Sequence, residues 1–192
     1  EAEGPLAKYF DKTYSDDKFG ESSWEKAESF LQKSAVELAL KKADIDASSI
    51  NYIFAGDLLN QCISSTFGLR ALGIPFLGQY GACSTMAQTI SMASVFADSF
   101  AADRCVAVTS SHFCSAERQF RFPLEYGGQR TPTAQWTVTG SGAAIIRRGG
   151  SGVKIKRITI GRITDMGIKD ANNMGAAMAP AACDTIVQHF ED

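Results

Sequence analysis

The chain has 192 residues, of which 45% are hydrophobic and 21% charged, a composition that fits one soluble globular domain or one domain with part of a second. The net charge of -2 gives no domain-wide positive field, so we expect no nucleic-acid partner. No apolar run approaches the roughly 20 residues that a membrane-spanning helix needs. Residues 1–11 mix charges with Gly4 and Pro5 and do not resemble a secretory signal.

The cysteines indicate a reducing compartment. Their number is odd and no two of them have the C-x-x-C spacing, which argues against a disulfide framework and against a standard zinc site. We therefore expect free thiols, no metal, no cofactor and a cytosol-like environment. The cysteines are Cys62, Cys83, Cys105, Cys114 and Cys183.

Helices and strands alternate over the first part of the sequence. Ser23 can cap a helix, in which Glu25 and Glu28 complement the dipole near the start, and Gly73 is a natural helix stop. The predicted elements are helix 24–43, strand 52–55, helix 62–72, strand 74–80, a tight turn at 81–84, helix 85–102 and strand 105–109. This order predicts βαβ units and parallel pairing of the short apolar strands. Helix 85–102 is apolar nearly all round, which implies burial on most sides.

The segments that follow are less regular. Residues 112–132 form a long connection rich in aromatic residues and arginine, and loops of this length in a compact domain are usually functional. Residues 135–147 and 153–163 are predicted strands, the second because apolar and polar residues alternate along it. A loop at 164–175 and a helix at 176–190 complete the sequence.

The turn at Cys83 is the strongest candidate for a nucleophile or a ligand contact. Cys83 follows an apolar strand and precedes a long helix, and Gly81 and Ala82 leave room for a sharp turn. The thiol is expected at the helix N-terminus, where free backbone N–H groups stabilise a thiolate and can hold a carboxylate or an acyl oxygen. The alternative is a small buried residue at a strand end, which is common for free cysteine.

Three segments resemble the thiolase and ketoacyl synthase superfamily, in the order in which that superfamily has them. Residues 81–87 (GACSTMA) match its strand–cysteine–helix turn, residues 50–56 (INYIFAG) its preceding core strand, and residues 138–146 (VTGSGAAII) a glycine-containing strand near the end of its first half. The resemblance implies an α/β thiolase-like fold with Cys83 at the nucleophile position.

Longer strings resemble the thiolase-like sporulation proteins of spore-forming bacilli, over essentially the whole chain. The strings are EGPLAKYFD at 3–11, FAGDLLNQ at 54–61, SSHFC at 110–114, AERQFRFPLEYGGQR at 116–130 and NMGAAMAPAA at 173–182. The resemblance implies a role in sporulation and germination: binding of dipicolinic acid and its transport into the developing spore. It also implies partners from the same operon, including membrane channel components, and a location in the cytoplasm or at the inner membrane of the spore.

The superfamily builds each molecule from two similar halves. We expect residues 1–150 to be the N-terminal half without its first strand, and residues 151–192 to be the opening of a truncated second half. The resemblance places the catalytic histidine and its partner in the absent part, and neither His112 nor His189 lies in those motifs. An open sheet edge and an uncovered apolar face favour association, so we expect a homo-oligomer. A monodisperse monomer in light scattering would contradict this expectation.

Candidate ligand contacts lie at strand ends and in the 112–132 loop. Guanidinium groups pair with carboxylates and aromatic faces stack on flat rings, so this loop suits an aromatic dicarboxylate; the alternative is that its arginines pair with its own glutamates. Asp57 and Asn60 follow a strand end, where α/β proteins tend to bind ligands, or they cap turns. For His112 a satisfied polar position beside the sheet is the favoured alternative. The candidates are Cys83, Ser84, Asn60, His112, Arg118 and Arg130.

Three functions remain open at this point: a non-catalytic binder of dipicolinate, an acyl-transfer enzyme with Cys83 as nucleophile on a thioester, and a structural subunit with a vestigial pocket. A thiol nucleophile needs a base to activate it and an oxyanion site. Neither histidine of the sequence lies in a recognisable base motif. The sequence therefore favours the binder over the enzyme.

Overall fold

The computed structural model describes three stretches of the chain, residues 4–120, 138–170 and 173–191. They belong to two compact units. Residues 4–120 and 138–150 make up the first, and the described residues of the second begin at Ser151. That the two units are the first half and the opening of the second half of a longer fold stays a prediction.

The helices of the first unit begin close to where the sequence predicts them. They are α1 (Trp24–Ala43), α2 (Ile63–Leu69) and α3 (Thr85–Asp98). The Ser23 hydroxyl accepts a hydrogen bond from the Lys26 N–H at 3.3 Å, and α1 ends at Asp44, which is left-handed with φ +52°. The predicted cap and both ends of the first helix are thus confirmed.

Four strands of the first unit form one mixed sheet. They are β1 (Tyr52–Gly56), β2 (Phe76–Gly78), β3 (Arg104–Ser111) and β4 (Gly140–Arg147), in the spatial order β2-β1-β3-β4. β1 pairs in parallel with β2 and β3, whereas β4 runs antiparallel to β3. The predicted parallel pairing of the three short strands is confirmed.

Side chains of the central strands alternate between two apolar layers. Ile53 and Ala55 face one way, with Val106 and Val108, and Phe54 faces the other. The first cluster takes in Val36 and Leu40 of α1 and Leu69 of α2; the second takes in Ala93 of α3. Because period-two alternation puts successive side chains on opposite faces, the sheet lies between α1 and α2 on one side and α3 on the other.

Two predicted elements differ in detail from the structure. Helix 62–72 is α-helical only in α2, between 3₁₀ turns at Asn60–Cys62 and Arg70–Leu72. Strand 74–80 shortens to β2, although the ladder continues through the Pro75 carbonyl, which accepts from the Ile53 N–H at 2.8 Å. Proline itself has no N–H to donate.

The prediction that helix 85–102 is buried on most sides is wrong. α3 ends at Asp98, and its buried residues form one stripe at four-residue spacing, Thr85, Thr89, Ala93 and Ala97. Val95, on another side, is 47% exposed. The helix packs on a single sheet, so one stripe is all that this sheet can cover.

In the second unit, the predicted strand 153–163 is also wrong. The segment has no regular structure, and Val153 and Ile163 are fully exposed. It contacts helix α4 (Met174–Glu191) through Arg162, which pairs with Asp184 at 2.7 Å. Alternating residues specify a face for a strand, but a strand also needs a neighbour, and no strand pairs with this segment in the described part of the chain. The predicted helix 176–190 is confirmed by α4.

Part of the predicted loop 112–132 can be compared with the structure. Residues 112–120 form a turn that ends in a 3₁₀ segment at Glu117–Phe120, whereas 121–132 lie outside the described residues, as do 135–137 of the predicted strand that became β4. Within the described ranges, no helix has both the length and the hydrophobicity to cross a membrane.

Candidate functional site

Three turns meet at the carboxyl edge of the sheet. β2, β1 and β3 are neighbours and run in parallel, so the residues after them lie along one edge. Cys83 follows β2, Asn60 follows β1 and His112 follows β3. This edge is where α/β folds commonly bind ligands, and it brings together three of the residues that the sequence proposed.

Two of these turns are joined by hydrogen bonds. The Tyr80 hydroxyl donates to the Leu58 carbonyl at 3.3 Å. The Cys62 thiol donates to the Gln79 carbonyl, also at 3.3 Å. The segments after β1 and after β2 therefore form one continuous surface.

The Cys83 turn is closed by its own hydrogen bonds. Cys83 lies in a 3₁₀ turn, Ala82–Ser84, directly before α3, and its side chain is exposed. The Ser84 hydroxyl donates back to the Gly81 carbonyl at 2.7 Å rather than capping the helix. The hydroxyl of Thr85, which is 1% exposed, accepts from the Gly81 N–H at 3.1 Å and donates to the Ala82 carbonyl at 2.8 Å. The buried threonine thus holds the turn while the thiol faces solvent.

Left-handed backbone surrounds this edge. Gln61, Cys62 and Ala82 have φ values of +59°, +53° and +47°, a conformation that costs a non-glycine residue about 1 kcal/mol or more. Strain of this kind concentrates at functional sites. No pattern in the sequence predicts this strain, because none of these residue types favours the left-handed region.

Gly56 allows the two turns to approach each other. A Cβ at this position would lie 2.0 Å from the Gln79 carbonyl oxygen and 2.6 Å from Cγ2 of Thr85. The Gly56 carbonyl also accepts from the Thr109 hydroxyl at 3.0 Å and from the Gln32 amide at 3.1 Å. The residue at the end of β1 therefore has to be glycine for the Cys83 turn to sit where it does.

The thiols of the first unit differ in reactivity. Burial raises the pKa of Cys62 and raises that of Cys105 to about 11, and it also raises the pKa of the half-buried Cys114. Cys83 is exposed and lies at the amino end of α3, which attracts an anionic ligand. Of these four thiols, Cys83 is the one that an incoming ligand can reach.

His112 is enclosed. It is 1% exposed, and its ring lies against Trp24 at a centroid distance of 5.4 Å. Its Nδ1 accepts from the Cys114 N–H at 3.1 Å, and its Nε2 lies 2.8 Å from the Asp17 carbonyl. Nδ1 is therefore unprotonated and Nε2 donates, so both ring nitrogens are occupied. The geometry agrees with the alternative of a satisfied polar position beside the sheet.

The remaining candidates are at the surface. Asn60 and Ser84 are exposed, and so is Arg118, whose N–H donates to the Phe113 carbonyl at 3.1 Å. Arg130 lies outside the described residues. Of the two residues considered for a capping role, Asp57 and Asn60, Asp57 makes capping hydrogen bonds.

Asp57 is 1% exposed and caps two turns. Its Oδ2 accepts from the Ser65 N–H and hydroxyl, at 2.8 and 2.6 Å, and its Oδ1 accepts from the Leu59 N–H at 2.9 Å. It fixes the path of the chain between β1 and α2.

A buried polar cluster under this edge was missed. Glu28, expected near the start of α1 as a dipole complement, is 0% exposed, and its carboxyl oxygens contact the Ser110 and Ser115 hydroxyls. Its pKa is raised from 4.5 to about 7, mainly by burial and further by the charges of Asp57 and Glu25, although the hydrogen bonds from Ser115 and Ser110 act to lower it. Polar residues on an otherwise apolar helix stripe were the signal available in the sequence.

A large groove of the first unit lies elsewhere. It has a volume of about 1350 Å³ and is lined by residues 9–17, by the outer side of α1 and by β4. None of the candidate ligand residues within the described stretches lines it. The described residues also contain no group of three or more His, Cys, Asp or Glu side chains placed to hold a metal ion.

Known proteins resemble the chain in both sequence and fold. The family model described as Stage V sporulation protein AD matches residues 1–192. Stage V sporulation protein AD of Bacillus subtilis (strain 168) is 49% identical over 192 residues, which are 100% of this chain and 57% of that protein. The chain therefore spans little more than half the length of this curated relative.

Solved structures with low sequence identity share the fold. 3-Oxoacyl-[acyl-carrier-protein] synthase III from Aquifex aeolicus VF5 is 16% identical, with a TM-score of 0.52 over 65% of this chain and 39% of that chain. The tetronic acid condensing enzyme AbyA1 is 17% identical, with a TM-score of 0.56 over 72% of this chain and 43% of that chain. Since the family match covers the whole chain and ketosynthases share its architecture, the chain belongs to the Stage V sporulation protein AD family and has a thiolase-like fold.

Proposed function

We propose that this protein binds dipicolinic acid at the carboxyl edge of its sheet and supports uptake of that acid into the developing spore. The observation that carries the proposal is the exposed Cys83 turn at the amino end of α3, with the β1 turn hydrogen-bonded beside it. The positive end of a helix attracts a carboxylate. Family membership supplies the link to sporulation.

The ligand's shape suits the groups along this edge. Dipicolinic acid is a flat ring with two carboxylates, so it needs two positive or N–H-rich positions about one ring apart. The α3 amino end offers one of them. Arg118, exposed on the turn after β3, offers a guanidinium for the other, and Asn60 lies on the turn after β1, the strand between β2 and β3.

Titration calorimetry of the full-length protein with dipicolinate tests the proposal. Cys83→Ala and Arg118→Ala are each expected to weaken binding at least about tenfold, since a hydrogen bond to a charged group contributes about 1.5–3 kcal/mol. Matched controls are Cys183→Ala, an exposed thiol of the second unit, and Arg148→Ala, an exposed arginine beyond the end of β4. Unchanged affinity in both test variants would remove this edge from the site, and no binding by wild type would refute the proposal.

A second candidate is acyl transfer with Cys83 as nucleophile. It is favoured by the exposed thiol on a left-handed turn at a helix start, in a fold shared with ketosynthases. It is opposed by His112, which is buried with both nitrogens bonded and so does not face the thiol as a base. Mass spectrometry after incubation with an acyl thioester distinguishes the two functions, because only the enzyme forms an adduct on Cys83.

The proposed partners follow from the same role. Uptake into a spore requires a route through a membrane, so we infer an association with channel components of the same operon, at the inner membrane of the spore or in the adjoining cytoplasm, and a homo-oligomer of this protein. Co-purification with those components from sporulating cells supports the association. Their absence from the purified material, with the protein present, counts against it.

A further inference from the structure

The carboxyl group of Glu28 is buried in a chain of hydrogen bonds. The Gln32 amide donates to the Ser110 hydroxyl at 3.2 Å, and Ser110 in turn donates to Oε1 of Glu28 at 2.9 Å. On the other side, Oε2 of Glu28 contacts the Ser115 hydroxyl, which also lies 3.0 Å from the His112 carbonyl. This series of hydrogen bonds links α1, the end of β3 and the turn that follows β3.

Counting hydrogens shows which form of Glu28 completes this chain. The Ser115 hydroxyl has one hydrogen but contacts two oxygens that accept, the His112 carbonyl and Oε2 of Glu28. With Glu28 ionised, one of these two contacts has no hydrogen. With a proton on Oε2, Glu28 donates to Ser115 and Ser115 donates to the His112 carbonyl, so both contacts are filled.

The surroundings also favour the neutral form. Glu28 is 0% exposed, and an isolated buried carboxylate is costly. The two charges that act on the pKa of Glu28 are both negative: Asp57 after β1 and Glu25 on the same helix. From the side of β3, His112 directs both ring nitrogens to other partners. No cation among these groups compensates an ionised Glu28.

We propose that Glu28 is a buried proton site that, in its neutral form, fixes the turn at residues 112–118 through Ser115. When the proton leaves to solvent, the Ser115 hydroxyl turns to the carboxylate and the hydrogen bond to the His112 carbonyl is lost. The other hydrogen bonds to that carbonyl come from backbone N–H groups at 3.2–3.3 Å, so the turn loosens. Arg118 is carried by this turn, and the effect on a ligand there rests on the proposed function.

Amide hydrogen exchange of the full-length protein tests the proton site. Exchange of the amides at 115–118, corrected for the intrinsic effect of pH, is measured at pH 6, 7 and 8. We expect protection to fall from pH 6 to pH 7, by up to about tenfold for one proton released, and to level off toward pH 8. E28Q copies the neutral acid, since its amide accepts from Ser110 and donates to Ser115, so its protection stays high. The matched control is E37Q, an exposed glutamate of the same helix, which behaves as wild type.

Two results overturn the proposal: protection in wild type that does not change with pH, or a fall that persists in E28Q. Infrared difference spectra between pH 6 and pH 9 provide a direct check, because a neutral carboxylic acid has its own C=O band. The band is expected in wild type and E37Q at pH 6 and lost in E28Q. Its absence from wild type at pH 6 also overturns the proposal.

Calorimetry with dipicolinate separates this inference from the proposed function. Dipicolinate itself is doubly ionised from pH 6 to pH 8, so a change in affinity over this range reports on the protein. We expect weaker binding at pH 8 than at pH 6 in wild type and equal binding in E28Q. If no binding occurs at any pH while the exchange and infrared results hold, the proposed function fails and the proton site stands.

Discussion

The two ends of helix α1 bury different kinds of side chain against the same sheet. Toward its amino end, over the carboxyl edge of the strands, α1 buries the polar Glu28 and Gln32 beside Ala27 and Leu31; toward its carboxyl end it buries only apolar residues, Val36 and Leu40. The apolar end lies in one cluster with Ile53. The polar end contacts Ser110 and the Gly56 carbonyl instead.

This contrast separates what holds the fold from what shapes the site. Burying apolar area stabilises the folded state by about 25 cal/mol per Å², so Val36 and Leu40 stabilise the fold by removing apolar surface from water. Buried polar groups cost free energy unless each one is hydrogen-bonded. Their hydrogen bonds, however, are directional and fix the orientation of a turn, which apolar contacts cannot do. The carboxyl edge carries the polar groups because three turns have to be held there in one arrangement.

The largest loss of stability is expected for a substitution at Gly56, at the end of β1, where the apolar core borders the polar carboxyl edge. Gly56→Ala places a Cβ 2.0 Å from the Gln79 carbonyl oxygen, so backbone has to move, and we expect a loss of more than about 4 kcal/mol in the free energy of unfolding. Denaturant unfolding measures this loss. Gly142→Ala is the control, since a Cβ there meets nothing within 4 Å. Similar stabilities of the two variants would contradict the tight approach.

The apolar end is tested by Ile53→Ala. Ile53 is 1% exposed in the first core cluster, so removing three carbon atoms loses transfer free energy and leaves a cavity, and we expect a cost of about 3–4 kcal/mol at every pH. Thermal or denaturant unfolding at pH 5 and pH 8 is the measurement. If the free-energy cost of Ile53→Ala changed strongly with pH, the apolar packing around Ile53 would not be independent of the polar cluster at the other end of α1.

The polar end is expected to show the pH dependence that the apolar end lacks. Glu28 has a pKa raised from 4.5 to about 7. From about pH 4.5 to 7 the folded state keeps a proton that the unfolded state releases, so stability falls as pH rises, by about 3 kcal/mol in total. Below about pH 4.5 the full stabilisation is present, and above pH 7 it is lost. Glu28→Gln removes this dependence.

The stability difference between wild type and Glu28→Gln, measured by denaturant unfolding from pH 5 to pH 8, checks this sign. We expect Glu28→Gln to gain on wild type as pH rises and the gain to level off above pH 7. Glu37→Gln, an exposed glutamate of the same helix, serves as the control with a flat difference. If the stability of Glu28→Gln relative to wild type increased toward low pH, the raised pKa of Glu28 would be contradicted.

The local features of the fold could be predicted from the sequence better than the buried polar contacts. The α1 cap, the Gly73 stop and the parallel strands depend on local residue types and spacing, so their positions could be predicted. The exposed Cys83 turn at a helix start followed from the strand before it and the helix after it. The family resemblance then placed the whole chain in a thiolase-like fold.

The rest depends on contacts that are distant along the chain. Glu28 and Ser115 are 87 positions apart. Polar residues on the apolar stripe of α1 can indicate that Glu28 is buried, but no local pattern shows which residues contact it. Segment 153–163 alternates as a strand does, but pairing requires a neighbour that its own residues do not specify. The apolar sides of α3 likewise indicated more burial than one sheet provides, because hydrophobicity does not say how many surfaces are available.

The smallest effect on stability is expected at the residue most important for the proposed function. Cys83 is exposed, and the bonds that close its turn are made by Gly81, Ser84 and Thr85, so Cys83→Ala should change the free energy of unfolding by less than about 0.5 kcal/mol. Dipicolinate affinity, in contrast, should fall at least about tenfold. Unfolding and calorimetry on the same preparation give both numbers. If Cys83→Ala lost both stability and affinity, the thiol would be supporting the turn. Cys83 could then not be assigned to ligand binding alone.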